Sequence, residues 1–168
     1  MTRTLFLLIP AMLAAPATAQ SLRNHNSNAP VDVDAERIEV QDRADRAMFS
    51  GNVRVRQGGL ALDAARLTVA YASGGGGVAI QRLDASGGVT VRSAEETARG
   101  DFAVYDLNRR IITMIGGVVL TQGANVVRGA RLVMDLASGR SVLDGGGAGG
   151  SSGGGRVSGR FTVPQRTQ

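Results

Sequence analysis

One histidine, no cysteine and fourteen acids bound the chemistry open to this 168-residue chain. A Ser-His-Asp or Cys-His arrangement needs an imidazole held by packing, yet the single imidazole, His25, lies in the polar, aperiodic stretch Ser21 to Ala29. Without cysteine, a zinc site would have to gather carboxylates around that one residue. Glu95 and Glu96 are adjacent, so they point to opposite faces of a strand or lie in a turn. A glycosidase-type pair drawn from Asp63, Asp84, Asp101, Asp106 or Asp135 is the remaining option, but these fall at turns and strand ends, where Asp has an ordinary structural use. A formal G-x-G-x-x-G at Gly145, Gly147 and Gly150 would bind a nucleotide only between a strand and the helix it opens, and no helical pattern follows it. The residues argue against an enzyme, and they call for no metal and no cofactor.

The charge is more informative. All nineteen basic residues are Arg, giving a formal net charge of +5. Arg pairs bidentately with phosphate and carboxylate, which suits anionic partners, although a genome rich in Arg codons produces the same bias. Nucleic acid is not expected, because two Tyr and four Phe are spread out and form no stacking platform. Arg128 is out of pattern, in phase with Val126, Ala130 and Leu132. It marks either the rim of a cavity that receives an anionic head group or a strand-end residue snorkelling to water.

The elements that must position these residues repeat. Arg37-Ile38-Glu39-Val40, Arg66-Leu67-Thr68-Val69, Asp101-Phe102-Ala103-Val104 and Arg131-Leu132-Val133-Met134 share one polar–apolar–x–apolar phrase, spaced by about 30 residues as in a stacked supersecondary unit. A second phrase, a small residue, Gly and an alternating strand, recurs at Ser50 to Val55, Gly87 to Val91 and Gly116 to Leu120. Period-two alternation bounded by Gly and Asp marks strands with one wet and one buried face. The long runs Ile112 to Leu120 and Val126 to Leu136 each keep one parity. Gly74 to Gly77 reads as an insertion that lengthens one loop, and Asp106 to Arg109 as a turn. The expected fold is all-β, with about 12 to 16 short antiparallel strands in two facing layers.

Before the repeats, Arg3, the apolar run Leu5 to Ala15 and the small-residue pattern Ala17-Thr18-Ala19 read as a signal peptide over 1–19; an uncleaved anchor is the alternative, with a run short for a bilayer. Residues 20–29 read as a loose N-terminus, 30–144 as the β-domain, 145–155 (GGGAGGSSGGG) as a Gly-rich linker, and 156–168 as a tail with a possible last strand at Val157 to Val163.

Taken together, Val31-Asp32-Val33-Asp34-Ala35-Glu36-Arg37-Ile38-Glu39-Val40, Phe49-Ser50-Gly51-Asn52-Val53-Arg54-Val55-Arg56-Gln57-Gly58 and Arg66-Leu67-Thr68-Val69-Ala70-Tyr71 resemble the OstA-like (LptA) family of periplasmic lipopolysaccharide-transport proteins. The resemblance covers about Pro30 to Gly145. It implies a twisted antiparallel β-jellyroll built from repeated strand pairs, open along one edge and holding acyl chains inside. It also implies periplasmic localisation, lipopolysaccharide as ligand, and a role in outer membrane biogenesis as a soluble bridge. Its partners would be the inner-membrane and outer-membrane components of the transport system and further copies joined head to tail. Lipid contact is expected at Phe49, Val53, Val55, Leu67, Val69, Val89, Phe102, Val104, Met114, Val118, Leu132 and Met134, and head-group contact at Arg128. The alternative from the residues alone is a structural β-repeat protein of the cell envelope with a filled core and no lipid ligand.

Overall fold

A computed structural model describes residues 25–74, 77–146 and 155–162; the signal-peptide region lies outside them. Ten strands form one antiparallel sheet: β1 (Asp32–Asp34), β2 (Arg37–Gln41), β3 (Arg46–Gln57), β4 (Leu60–Gly74), β5 (Gly77–Arg92), β6 (Glu96–Asp106), β7 (Ile111–Gln122), β8 (Asn125–Asp135), β9 (Arg140–Asp144) and β10 (Ser158–Arg160). A 3-10 turn, Asp42–Ala44, joins β2 to β3. The count is ten, below the twelve to sixteen expected, because each of β3 to β8 runs through both layers as one long strand. Between β3 and β8 every neighbour in the sheet is the next element in sequence, as period-two segments separated by short turns require.

The bend that makes two layers from one sheet is encoded by glycine. Gly51 and Asn52 on β3 oppose Ala65 alone on β4, since Ser50 pairs with Arg66 and Val53 with Ala64. Gly87 and Gly88 oppose Asp101 in the same way, and Gly116 and Gly117 oppose Ala130. Two residues against one is a β-bulge, which bends and twists its strand. All six bulge residues have positive φ, from 44° at Asn52 to 87° at Gly116, a region Gly enters freely and Asn tolerates. Over each first glycine lies the side chain of a residue from an earlier strand or bend: Glu36 over Gly51, Ala65 over Gly87, Asp101 over Gly116, and, past β9, Ala130 over Gly146. The bulges thus stand side by side and divide the sheet along one line.

Layer 1 holds β1, β10 and the segments 53–57, 60–64, 89–92, 96–100, 118–122 and 125–129. Layer 2 holds β2, β9 and the segments 46–50, 66–74, 77–86, 102–106, 111–115 and 131–135. Their inner faces share one core that includes Val53, Val89 and Val118 from layer 1 and Leu67, Met114 and Leu132 from layer 2.

The bulge also sets side-chain parity. β3, β5 and β7 carry the extra residue and keep their alternation, whereas β4, β6 and β8 reverse theirs on crossing the line. On β6, Ala98 faces in, and beyond the line Ala103 and Tyr105 do, so Phe102 and Val104 turn outward; Phe102 is 55% exposed. On β8, Leu132 and Met134 face in, but Arg128, paired with Val119, lies exposed on the outer face. The expectation of one unbroken parity from Val126 to Leu136 is therefore corrected. The residues around Gly74 to Gly77 also differ from expectation, since Ser73 pairs with Val78 and Gly74 with Gly77, and the extra length extends a hairpin. Asp63 and Asp84 sit within strands on the outer face, paired with Arg92 and Arg82, whereas Asp106 does form the expected turn, its Oδ1 accepting from the Arg109 N–H at 2.9 Å.

Replacing Gly116 by Val should destabilise the chain by about 1–3 kcal/mol through backbone strain, worsened by the Asp101 side chain above it. Gly59→Ala, at a turn glycine with nothing within 4 Å of a Cβ, should shift the midpoint of thermal unfolding little. Equal shifts for the two variants would show that the bulge line is not a structural determinant.

Candidate functional site

The interior between the layers is the feature that could receive a ligand. Its lining is aliphatic: Leu67, Leu83, Ile112, Met114, Leu132 and Met134 are almost completely buried, with Val53, Val89 and Val118 facing them. Of the residues expected to touch lipid, Val53, Val55, Leu67, Val69, Val89, Met114, Val118, Leu132 and Met134 lie buried in this interior, and Phe49 packs half-buried against it. Phe102, Val104 and Arg128 are on the outside, so the structure takes them away from the interior; Arg128 is on the outer surface of layer 1.

One part of the interior is narrow. A gap of about 170 Å³, lined by Leu60, Val91, Ser93, Glu96, Ala98 and Met134, lies between the layers on the side away from the bulges, and it has no room for water. Aliphatic contact of this kind is diffuse and roughly proportional to area, so it holds a chain without fixing its position. An apolar ligand entering here would take the place of contacts that the side chains now make with one another.

A polar cluster ties the layers together opposite the bend. Gln57, only 4% exposed, ends the inward row Val53, Val55, Gln57 on β3. Its Oε1 accepts a hydrogen bond from the Tyr105 hydroxyl of layer 2 at 2.8 Å. Its Nε2 donates to the carbonyls of Ser27 at 2.9 Å and Ala29 at 3.1 Å, and the His25 ring approaches Oε1 at 3.3 Å. The segment 25–29, expected to be loose, is thus strapped across the seam by one amide. A buried amide whose groups are satisfied specifies a unique arrangement. Burial pushes His25 below the usual imidazole value, partly offset by Gln57, and pushes the Tyr105 hydroxyl up. Glu96, beside the gap, is raised by burial and then by Glu95; its Oε1 is buried without a partner. The sequence signal for this cluster was a polar residue on apolar parity, Gln57 in phase with Val53 and Val55.

Residues 32–140 match the family described as LptA/(LptD N-terminal domain) LPS transport protein. The chain belongs to that family. A protein of Rhizobium meliloti (strain 1021), named uncharacterized protein R00383, is 32% identical over 145 residues, covering 82% of this chain and 78% of the relative. The fold matches the crystal structure of LptH, titled the LptA homologous periplasmic component of the conserved lipopolysaccharide transport device from Pseudomonas aeruginosa. That likeness has a TM-score of 0.70 at 18% identity, over 83% of this chain and 99% of LptH. The β-jellyroll expected from the sequence is the fold observed. Among the described residues, no helix is long and apolar enough to cross a membrane.

The strap should respond to acid. A depressed imidazole value means that the docked state binds fewer protons than the free one, so docking is fully present above the ordinary value of 6.5 and weakens as pH falls toward the lowered value. Glu96 contributes with the opposite sign, so a local readout is needed. Amide hydrogen exchange at Ser27 and Ala29, corrected for intrinsic rates, should lose protection between pH 7.5 and pH 5.5, and His25→Ala should abolish that change. Protection unchanged across this range would exclude the coupling.

Proposed function

We propose that this chain binds lipopolysaccharide in the periplasm and carries it from the inner toward the outer membrane as a non-enzymatic link of a protein bridge. The observation that supports this best is the aliphatic interior of a bent sheet whose two layers are continuous along the bulges and unpaired at both lateral edges, β1 with β2 and β9 with β10. An interior of this form can run on into a neighbouring molecule. Its lining offers acyl chains area without strong directional contacts, which suits a ligand that must slide. Membership in a lipopolysaccharide-transport family adds the substrate class. In this reading the partners are the inner-membrane and outer-membrane components of the system and further copies joined head to tail, and no reaction is catalysed.

The second reading, a structural envelope protein with a filled core, is favoured by one observation, the small size of the gap beside Glu96 and Met134. Photo-crosslinking in cells separates the two. A photoreactive residue at Val53 or Leu132, both inside, should yield lipopolysaccharide adducts, and one at Phe102, outside, should not. Absence of adducts from the interior positions, with lipopolysaccharide export normal on depletion, would leave the structural reading.

A further inference from the structure

The C-terminal tail occupies an edge that it fits poorly. β10 pairs with the first part of β8 through three residues, Ser158 with Arg128, Gly159 with Val127 and Arg160 with Val126. Thr162 adds one hydrogen bond, its N–H donating to Asn125 Oδ1 at 3.0 Å. On the inner face the tail offers Gly159 beside Val127, with the Phe161 ring folded over the glycine and still 67% exposed. On the outer face it sets Arg160 on the same side as Arg128, like charges that repel. Short length and charge are features that blunt a sheet edge, and glycine within a strand weakens it. A strand tethered through eleven residues, eight of them Gly, nevertheless competes at an effective concentration of about millimolar.

The opposite edge of layer 1 carries what β10 lacks. β1 turns Val33 inward, packed against the core and paired with Val55, and turns Asp32 and Asp34 outward, paired with Arg56 and Arg54. Laid along β8 with Val33 at Val127, the same strand would bring a valine where the tail has glycine, and acids opposite Arg128 and Val126 where the tail has Ser158 and Arg160. Among the described residues, the matching pair of edges in layer 2 has no further strand. β2 leaves Ile38 and Val40 56% exposed at positions whose partners, Phe49 and Ala47, face the core, and among the described residues β9 has β8 as its one neighbour in the sheet.

We propose that β10 is a displaceable cap on the layer-1 edge of β8, and that the strand replacing it is β1 of a second copy. The open β9 edge first receives β2 of the incoming molecule, and β1 then displaces the tail. The cap keeps free chains apart at low concentration without preventing assembly. This rests on the reading of the chain as a link that joins its own copies.

The chain has no cysteine, so a disulfide between Val126→Cys and Arg160→Cys, a cross-strand pair, can lock the cap in the full mature chain. Light scattering across a concentration series should show assembly of the reduced form and at least a tenfold higher threshold for the oxidised form. A labelled peptide of residues 30–41 should bind the reduced form at least tenfold more tightly than the oxidised one. Truncation after Gly145 should lower the assembly threshold below that of the unmodified chain. Equal assembly of locked and unlocked forms, or loss of assembly on truncation, overturns the cap while leaving the copies joined. Assembly without peptide binding overturns β1 as the replacing strand. Monomers under all conditions overturn both the cap and the joining of copies.

Discussion

The architecture depends on a steric contact repeated across the sheet, a side chain seated on a glycine that has no Cβ. Glu36, Ala65, Asp101 and Ala130 sit over Gly51, Gly87, Gly116 and Gly146. Ala65, Asp101 and Ala130 are also the single residues that oppose the bulges of β3, β5 and β7. Each therefore links one bulge to the next glycine along the line. The first member is reinforced by hydrogen bonds from the Glu36 N–H to the Gly51 carbonyl at 3.0 Å and from Asn52 Nδ2 to the Glu36 carboxylate. Because the contacts run from the first strands to the last, the sheet bends along one line.

That bend gives the two long sides of the interior different characters. On the bulge side the backbone itself joins the layers, so their spacing there is fixed by covalent geometry. On the other side they are held by side chains, with the hydrogen bond from Tyr105 to Gln57 as a polar tie among apolar contacts. Any separation of the layers would therefore hinge at the bulges. A ligand passing sideways between the layers must undo this tie and the strap of residues 25–29, whereas one passing along the interior from end to end need not. The buried, unpartnered oxygen of Glu96 on the same side lowers the cost of separation there.

Much of this was legible in the residues. The repeated phrases Arg37 to Val40, Arg66 to Val69, Asp101 to Val104 and Arg131 to Met134 mark the segments after the bend, and the Gly phrases at Gly51, Gly87 and Gly116 mark the bend itself. What parity could not reveal was the asymmetry between the strands meeting there. On β3, β5 and β7 the extra residue preserves alternation, so Val53, Val89 and Val118 read correctly. On β4, β6 and β8 alternation reverses with no residue to announce it, and Phe102, Val104 and Arg128 were assigned to the wrong face. The parity of Gln57 marks it as a polar residue on the buried face, but its partners come from residues 25, 27, 29 and 105, and no local pattern records that meeting. The tail's return to β8 was one of two outcomes that the alternation of Val157 to Val163 left open.

Seen as a unit of growth, the glycine contact makes the cross-section independent of chain length. Each repeat brings one bulged strand, one reversing strand and one residue for the next glycine, so duplicating a repeat would lengthen the interior by roughly 10 Å, two inter-strand spacings, without altering its width. The last contact, Ala130 on Gly146, lies just past β9. The C-terminal end therefore carries the same socket from which another repeat would start, and relatives with longer or shorter interiors can arise by gain or loss of whole strand pairs while the same cross-section is kept.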